Sequence, residues 1–221
     1  MFPEKVDVAF LAPLTGYLVE PTGKINGSFS LSGTVNQPKA VGEMNITEGG
    51  ISLSNQGVVL EDIKLILATE ENGARLRFEA SSGKGEIVAS GKILYAENGI
   101  LGEIGIRGED FMLLNLPEYE ITIAPDLRLL FSKEKGELRG TVKIPIARIT
   151  PEEMTSSVGV SDDVIFVNGG DEVKEAAWPF YISMDVQLGE DVKIDGYGLK
   201  GRLTGGLALK DDPRYRRTGF Y

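Results

Sequence analysis

From Glu137 the chain reads Glu137-Leu138-Arg139-Gly140-Thr141-Val142-Lys143-Ile144. Leu138, Gly140, Val142 and Ile144 alternate with Glu137, Arg139, Thr141 and Lys143, the period-two pattern of a strand with one apolar face. The pattern recurs in both directions along the chain. Ala74, Leu76 and Phe78 alternate with Arg75, Arg77 and Glu79, and Ile87, Ala89, Gly91 and Ile93 alternate with Glu86, Val88, Ser90 and Lys92. Near the C-terminus Leu199, Gly201, Leu203, Gly205, Leu207 and Leu209 share one face. Segments 6–10, 25–35, 42–47, 51–53, 58–68, 100–108, 119–123, 127–131 and 180–188 follow the rule more loosely.

Turn signals separate these runs: Glu48-Gly49-Gly50, Glu71-Asn72-Gly73, Ser82-Gly83-Lys84-Gly85, Glu97-Asn98-Gly99 and Lys135-Gly136. Asn-Gly and Gly-Gly supply the positive φ that tight hairpins need. Strands at roughly ten-residue spacing joined by short turns predict an all-β antiparallel meander. Glycines recur on the apolar faces, as at Gly91, Gly102, Gly108 and Gly140. In strand interiors they mark bends or close backbone approach, which predicts a sheet strongly coiled around its apolar side. Thr150-Pro151-Glu152-Glu153-Met154 holds one helical turn at most. Residues 151–179 read as an irregular connecting segment, and residues 1–221 as a single elongated β domain, a fragment of a longer protein, since the chain starts and stops inside strand-like pattern.

Composition narrows the chemistry. The 221 residues include no His, no Cys, 23 basic and 33 acidic side chains, for a net charge of −10. Without His and Cys there is no ordinary zinc site, no Ser-His-Asp triad, no haem His ligand and no iron–sulfur cluster. A charge of −10 disfavours nonspecific binding to nucleic acid and to anionic head groups. Glycine, 28 of 221 residues, is well above the usual ~7%. Met1–Asp7 lacks a basic region followed by an apolar one, and the apolar runs Phe111–Leu114 and Val164–Val167 fall far short of the ~20 residues of a spanning helix.

The remaining motifs carry little chemistry. Gly196-Tyr197-Gly198-Leu199-Lys200-Gly201 fits the dinucleotide-loop spacing, yet the residues after it alternate with period two where a pyrophosphate site needs a helix N-terminus. The adjacent acids Glu61-Asp62, Glu152-Glu153 and Asp162-Asp163 sit at neighbouring positions, which in a strand face opposite sides. Lys133, Lys135, Arg139 and Lys143, and Arg214, Arg216 and Arg217, are interleaved with acids or lie at the tail. They read as outward polar positions and not as a nucleic-acid surface. No catalytic residue, metal site or cofactor is expected.

Two stretches resemble the TamB family: Thr141-Val142-Lys143-Ile144-Pro145-Ile146-Ala147-Arg148-Ile149-Thr150-Pro151 with Val160-Ser161-Asp162-Asp163-Val164-Ile165-Phe166-Val167, and Gly189-Glu190-Asp191-Val192-Lys193-Ile194-Asp195-Gly196-Tyr197-Gly198-Leu199 with Leu203-Thr204-Gly205-Gly206-Leu207. Gly33-Thr34-Val35, Pro38 and Gly42 are similar to the repeats upstream in that family. The resemblance implies a long periplasmic protein anchored in the inner membrane, with an AsmA-like U-shaped "β-taco" sheet around an apolar groove. It further implies phospholipid transport between the two membranes, and outer-membrane protein assembly with the barrel partner TamA. On this resemblance the chain is expected to stop, at Pro213–Tyr221, short of the family's extreme C-terminus, with the anchor lying elsewhere in the full-length protein.

On this reading the groove is lined by Leu76, Phe78, Ile87, Ile93, Ile104, Ile106, Ile121, Ile123, Leu129, Phe131, Leu138, Val142 and Ile144. An acyl chain of about sixteen carbons, at ~0.8 kcal/mol per CH₂, gains on the order of 10 kcal/mol gross in such a groove before ordering costs. Two other expectations stand beside it: a groove that receives β-strands of nascent outer-membrane proteins or autotransporters by edge pairing, and a carbohydrate-active or adhesin-type β-solenoid, which would stack aromatics on an outer face.

Overall fold

The protein is described by a computed structural model over residues 6–7, 19–34, 37–96, 99–151, 178–196 and 198–211. The strands are β1 (Val6–Asp7), β2 (Val19–Thr34), β3 (Gln37–Leu53), β4 (Val58–Glu70), β5 (Gly73–Ala96), β6 (Gly99–Leu116), β7 (Tyr119–Ser132), β8 (Gly136–Ile149), β9 (Phe180–Gly196), β10 (Leu199–Arg202) and β11 (Gly205–Asp211). They form one open sheet in sequence order, with β10 and β11 both paired to β9. The all-β antiparallel meander expected from the alternation is present, with one exception. β8 and β9 run parallel, Gly136 opposite Phe180 and Ile149 opposite Ile194. Parallel neighbours need a crossover and not a hairpin, and residues 150–179 supply it. Residues 152–177, including the candidate helical turn beyond Pro151 and the Asp162-Asp163 pair, lie outside the described residues, as do Arg214, Arg216 and Arg217.

β5 is folded on itself. Gly73–Ser82 pairs with β4, whereas Gly83–Ala96 pairs with β6. The Tyr95 N–H donates to the Asn72 carbonyl at 3.0 Å, and a Cβ on Gly73 would strike the Ile93 carbonyl. The two halves therefore lie side by side, turning at Ser82-Gly83-Lys84-Gly85, where Gly83 takes φ +64°. Beyond that turn β6 meets the Ser54–Gly57 turn that leads into β4, the Asn115 N–H donating to the Gln56 carbonyl at 2.8 Å.

The Glu48-Gly49-Gly50 signal is not a turn. It is a bulge inside β3, with Glu48 at φ 54°, and the chain turns later, at Ser54–Gly57. A left-handed residue beside glycine serves either purpose, and here the strand continues because Ile51 and Leu53 still find partners in Leu60 and Val58.

The bulge has counterparts. The register shifts between Thr22 and Lys24, Ile46 and Gly49, Glu61 and Lys64, Gly83 and Glu86, Arg107 and Phe111, Thr122 and Ala124, and Ile144 and Ile146. Each shift lies opposite the next, and the edge breaks at the same level, between β10 and β11. A bulge bends its strand and increases the local twist, so the irregularities form one crease crossing the whole sheet. The tightest packing lies on or next to it: Ala80, Phe111, Thr122 and Ala147 are buried, Val192 is 2% exposed and Ser82 1%, its hydroxyl donating to the Met112 carbonyl at 2.7 Å.

Candidate apolar groove

Cross-strand partners share a face, so the pairings sort every side chain. On one side of the crease a row runs Gly91–Ile104–Leu129–Leu138–Ile182 from β5 to β9. Beside it run Ala89–Ile106–Leu127–Gly140–Met184, and Pro125–Val142–Val186 with Ile144 opposite Leu188. Ile93, Gly102, Phe131, Gly136 and Phe180 make the row nearer the turns; Leu76 and Phe78 face Leu67 and Leu65 of β4, and Ile87 faces Gly108. Across the crease Ile123 opposes Phe111, and Ile121 sits between Leu114 and Ala147. All thirteen residues proposed from the sequence thus lie on one face, and from β4 to β9 that face carries no charged side chain.

These side chains are half-buried, central strands included. In a closed sandwich residues such as Ile104 and Leu138 would be fully covered, so among the described residues no second layer lies upon the apolar face. Local packing accounts for the burial they do have. A Cβ at Gly102 would fall inside the Phe131 ring, so the aromatic lies flat across the neighbouring strand. Trp178 and Phe180 cover Gly136 in the same way, their ring centroids 6.0 Å apart.

The charges occupy the other face. Arg107 pairs with Asp126 at 3.2 Å, Arg128 with Glu103 at 3.3 Å, Arg139 with Glu137 at 2.6 Å, and Arg148 with both Glu120 oxygens at 2.7 Å. Each arginine is solvent-exposed and the pairs are individually weak; together they keep this face wet. A hydrogen bond from Lys193 holds the Asp191 carboxyl below the usual range, with Arg148 and Arg202 nearby adding to the effect, and Glu120 raises the Arg148 guanidinium. The Ser132 hydroxyl, donating at 2.7 Å, lowers Glu134. Gly196 ends a strand and Leu199 begins the next, so the G-x-G-x-x-G spacing is a hairpin turn with no helix to hold phosphate. Among the described residues no three metal-binding side chains cluster, and no helix is long and apolar enough to cross a membrane.

Sequence reasoning named thirteen residues of this face and missed others that complete it: Leu65, Leu67, Leu127, Ile182, Met184 and Val186. The same alternation marks them. It also marks the crease, because apolar parity switches from Leu60 to Ile63, from Gly108 to Phe111 and from Ile144 to Ala147.

A family model described as the TamB C-terminal domain matches residues 73–219, about two thirds of the chain. The chain belongs to the TamB family. A TamB relative from Haemophilus influenzae, named translocation and assembly module subunit TamB, is 23% identical over 205 residues. That alignment covers 86% of this chain and 16% of the relative, so the chain spans about a sixth of that protein's length. No solved structure gives a significant match. The family match begins at the first residue of β5 and takes in the central strands that carry most of the apolar face.

Proposed function

We propose that this chain is a stretch of apolar trough that takes up phospholipid acyl chains, within an inner-membrane-anchored periplasmic protein that works with TamA in outer-membrane biogenesis. The supporting observation is the charge-free face that runs without interruption from β4 to β9, open along its length and bent by one crease. Such a trough binds methylenes by removing them from water and asks for no head-group pocket. It is a non-enzymatic role, in keeping with a chain whose charged groups stand on the opposite side. The name of the Haemophilus relative supports the assembly context.

The test is native mass spectrometry of the purified protein with extraction of bound lipid, combined with photo-crosslinkers at Ile104 and Leu138. Phospholipid-mass adducts at both positions support the trough; a folded, lipid-free protein whose crosslinks are all to polypeptide refutes it. One observation favours a second reading. β11 is an edge strand, exposed from Gly205 to Lys210. Among the described residues no strand pairs its outer side, and an edge of that kind suits pairing with a strand of a nascent outer-membrane protein. Crosslinks of protein mass at Leu207, with none of lipid mass in the trough, would put that reading first.

A further inference from the structure

We propose that the outer face of the central strands holds a binding site for a phosphorylated saccharide. Cross-strand pairing sets Ser90, Gly105, Arg128, Arg139, Ser183 and Lys210 in one row on that face, from β5 to β11. The row carries three cations and no acid. Arg128 and Arg139 stand directly opposite each other, an arrangement that costs a sheet stability. At Ser90 and Gly105 the row falls away, and a cleft of about 830 Å³ opens there, rimmed by Arg77, Arg107, Arg128 and Arg139. Glu103, Asp126 and Thr141 also line it. Every lining residue lies within β5–β8, among the described residues. The Arg107 and Arg128 side chains are 80% and 66% exposed, so the cleft is open to a ligand.

Gly105 is a glycine that the fold does not require. A Cβ there would meet nothing nearer than the Ser90 carbonyl at 3.8 Å, and its backbone is not left-handed. Gly91, on the adjoining strand, differs: a Cβ on it would strike the Glu103 carbonyl. Glycine weakens a strand interior, and what it supplies at Gly105 is open space for a ligand to approach the backbone. The arginines are underused as well. Among the described residues Arg107 makes a single hydrogen bond, from Nε to Asp126, and Arg128 approaches Glu103 through Nε at 3.3 Å without making one. Their terminal nitrogens are left to hold an oxyanion by the two-pronged contact that a guanidinium favours. The two carboxylates select what carries that oxyanion. Glu103 and Asp126 accept from hydroxyls and repel further carboxylates, while the Ser90 and Thr141 hydroxyls donate or accept. A sugar ring brings hydroxyls on every side and its phosphate brings the charge, whereas an acidic peptide would set more carboxylates against the two already present. The chain's net −10 is screened beyond ~8 Å at physiological salt, so at contact the four arginines of the rim prevail.

This site lies on the face opposite the trough and does not depend on the trough reading. The experiment is isothermal titration calorimetry of the whole chain with glucose 1-phosphate, glucose, inorganic phosphate and a tetraglutamate peptide. It compares the wild type with G105V, R107Q/R128Q and I106D, each checked by urea titration. The expected result is saturable binding of glucose 1-phosphate, tighter than that of glucose or phosphate alone. G105V and R107Q/R128Q should each bind it about tenfold more weakly or worse, the loss expected when charge-assisted hydrogen bonds go. I106D, altered only in the trough, should bind it like wild type. Valine favours strands, so G105V should be at least as stable as wild type, and its loss of binding reports a filled cleft and not an unfolded chain. Absence of saturable binding to the wild type overturns the proposal, as does undiminished binding in G105V. Inorganic phosphate bound as tightly as glucose 1-phosphate overturns it too, since any anion then gathers on the arginines. Tetraglutamate bound more tightly than the sugar phosphate puts an acidic peptide in its place. Protein that binds glucose 1-phosphate and carries no lipid keeps this site and removes the trough; lipid carried by protein that ignores the sugar phosphate does the reverse.

Discussion

Ile106→Asp is the most direct probe of the trough. Ile106 sits between Ala89 and Leu127, half-buried, with Gly140 beyond. Its neighbours are small or aliphatic, and no cation shares the face to pair with a carboxylate, so at this half-exposed position a carboxylate holds its charge only by keeping its water. An acyl chain along the row must either strip that water, at several kcal/mol for an unpaired ion, or lift away over about a strand spacing. Lifting away costs less. It exposes about four methylenes at ~0.8 kcal/mol each, roughly 3 kcal/mol, or a hundredfold or more in Kd. The assay is titration of a fluorescently labelled phospholipid, with far-UV circular dichroism to check the fold and Lys143→Glu as the outward control. Ile106→Asp should weaken binding about a hundredfold and Lys143→Glu less than threefold. Equal losses in the two variants, or no loss in a folded Ile106→Asp, would refute the reasoning.

Three further outcomes follow from the packing. Gly102→Ala must push the Phe131 ring aside and should cost about 1–3 kcal/mol by urea titration, whereas Gly105→Ala on the same strand, its nearest contact 3.8 Å away, should be neutral or slightly stabilising. Asp110 holds φ 46° at the crease. Asp110→Gly should leave stability within about 1 kcal/mol of wild type and Asp110→Val lower it by about 1–3 kcal/mol, measured the same way. The folded-state pKa of Asp191 is depressed, so its stabilising contribution is complete above the unfolded carboxylate range and is lost as pH falls through the lower folded value. Asp191→Asn should consequently flatten the acid limb of the denaturation-midpoint profile.

Alternation carried the reading from Leu76 to Ile144 because one buried face forces period two, whichever strand lies alongside. It is blind to strand direction for the same reason: Leu138 faces the trough whether β9 runs with it or against it. The parallel pairing of β8 with β9 is a matter of which strands meet and in which sense, which no local pattern records. Glu48-Gly49-Gly50 misled because a hairpin turn and a bulge ask the same thing of the backbone; the apolar pair Ile51 and Leu53 beyond it was the signal that the strand goes on. The exposed pair Leu94 and Leu101 escaped sequence reading because each breaks the alternation singly, and only the register sets them opposite each other.

The crease also answers a problem of counting. In a long meander of period two, sliding one strand by two residues keeps every side chain on its proper face, so the in–out pattern offers no resistance to the wrong alignment. A bulge is a mark that such a slide cannot preserve. With Asp62 and Asp110 in left-handed conformations and Gly83 turning between them, a slipped strand would set a bend against a straight partner and lose the pairings on both sides of it. The row of bends thus acts as a phase reference read by each arriving strand, so that a sheet of near-repetitive segments has one way to stack.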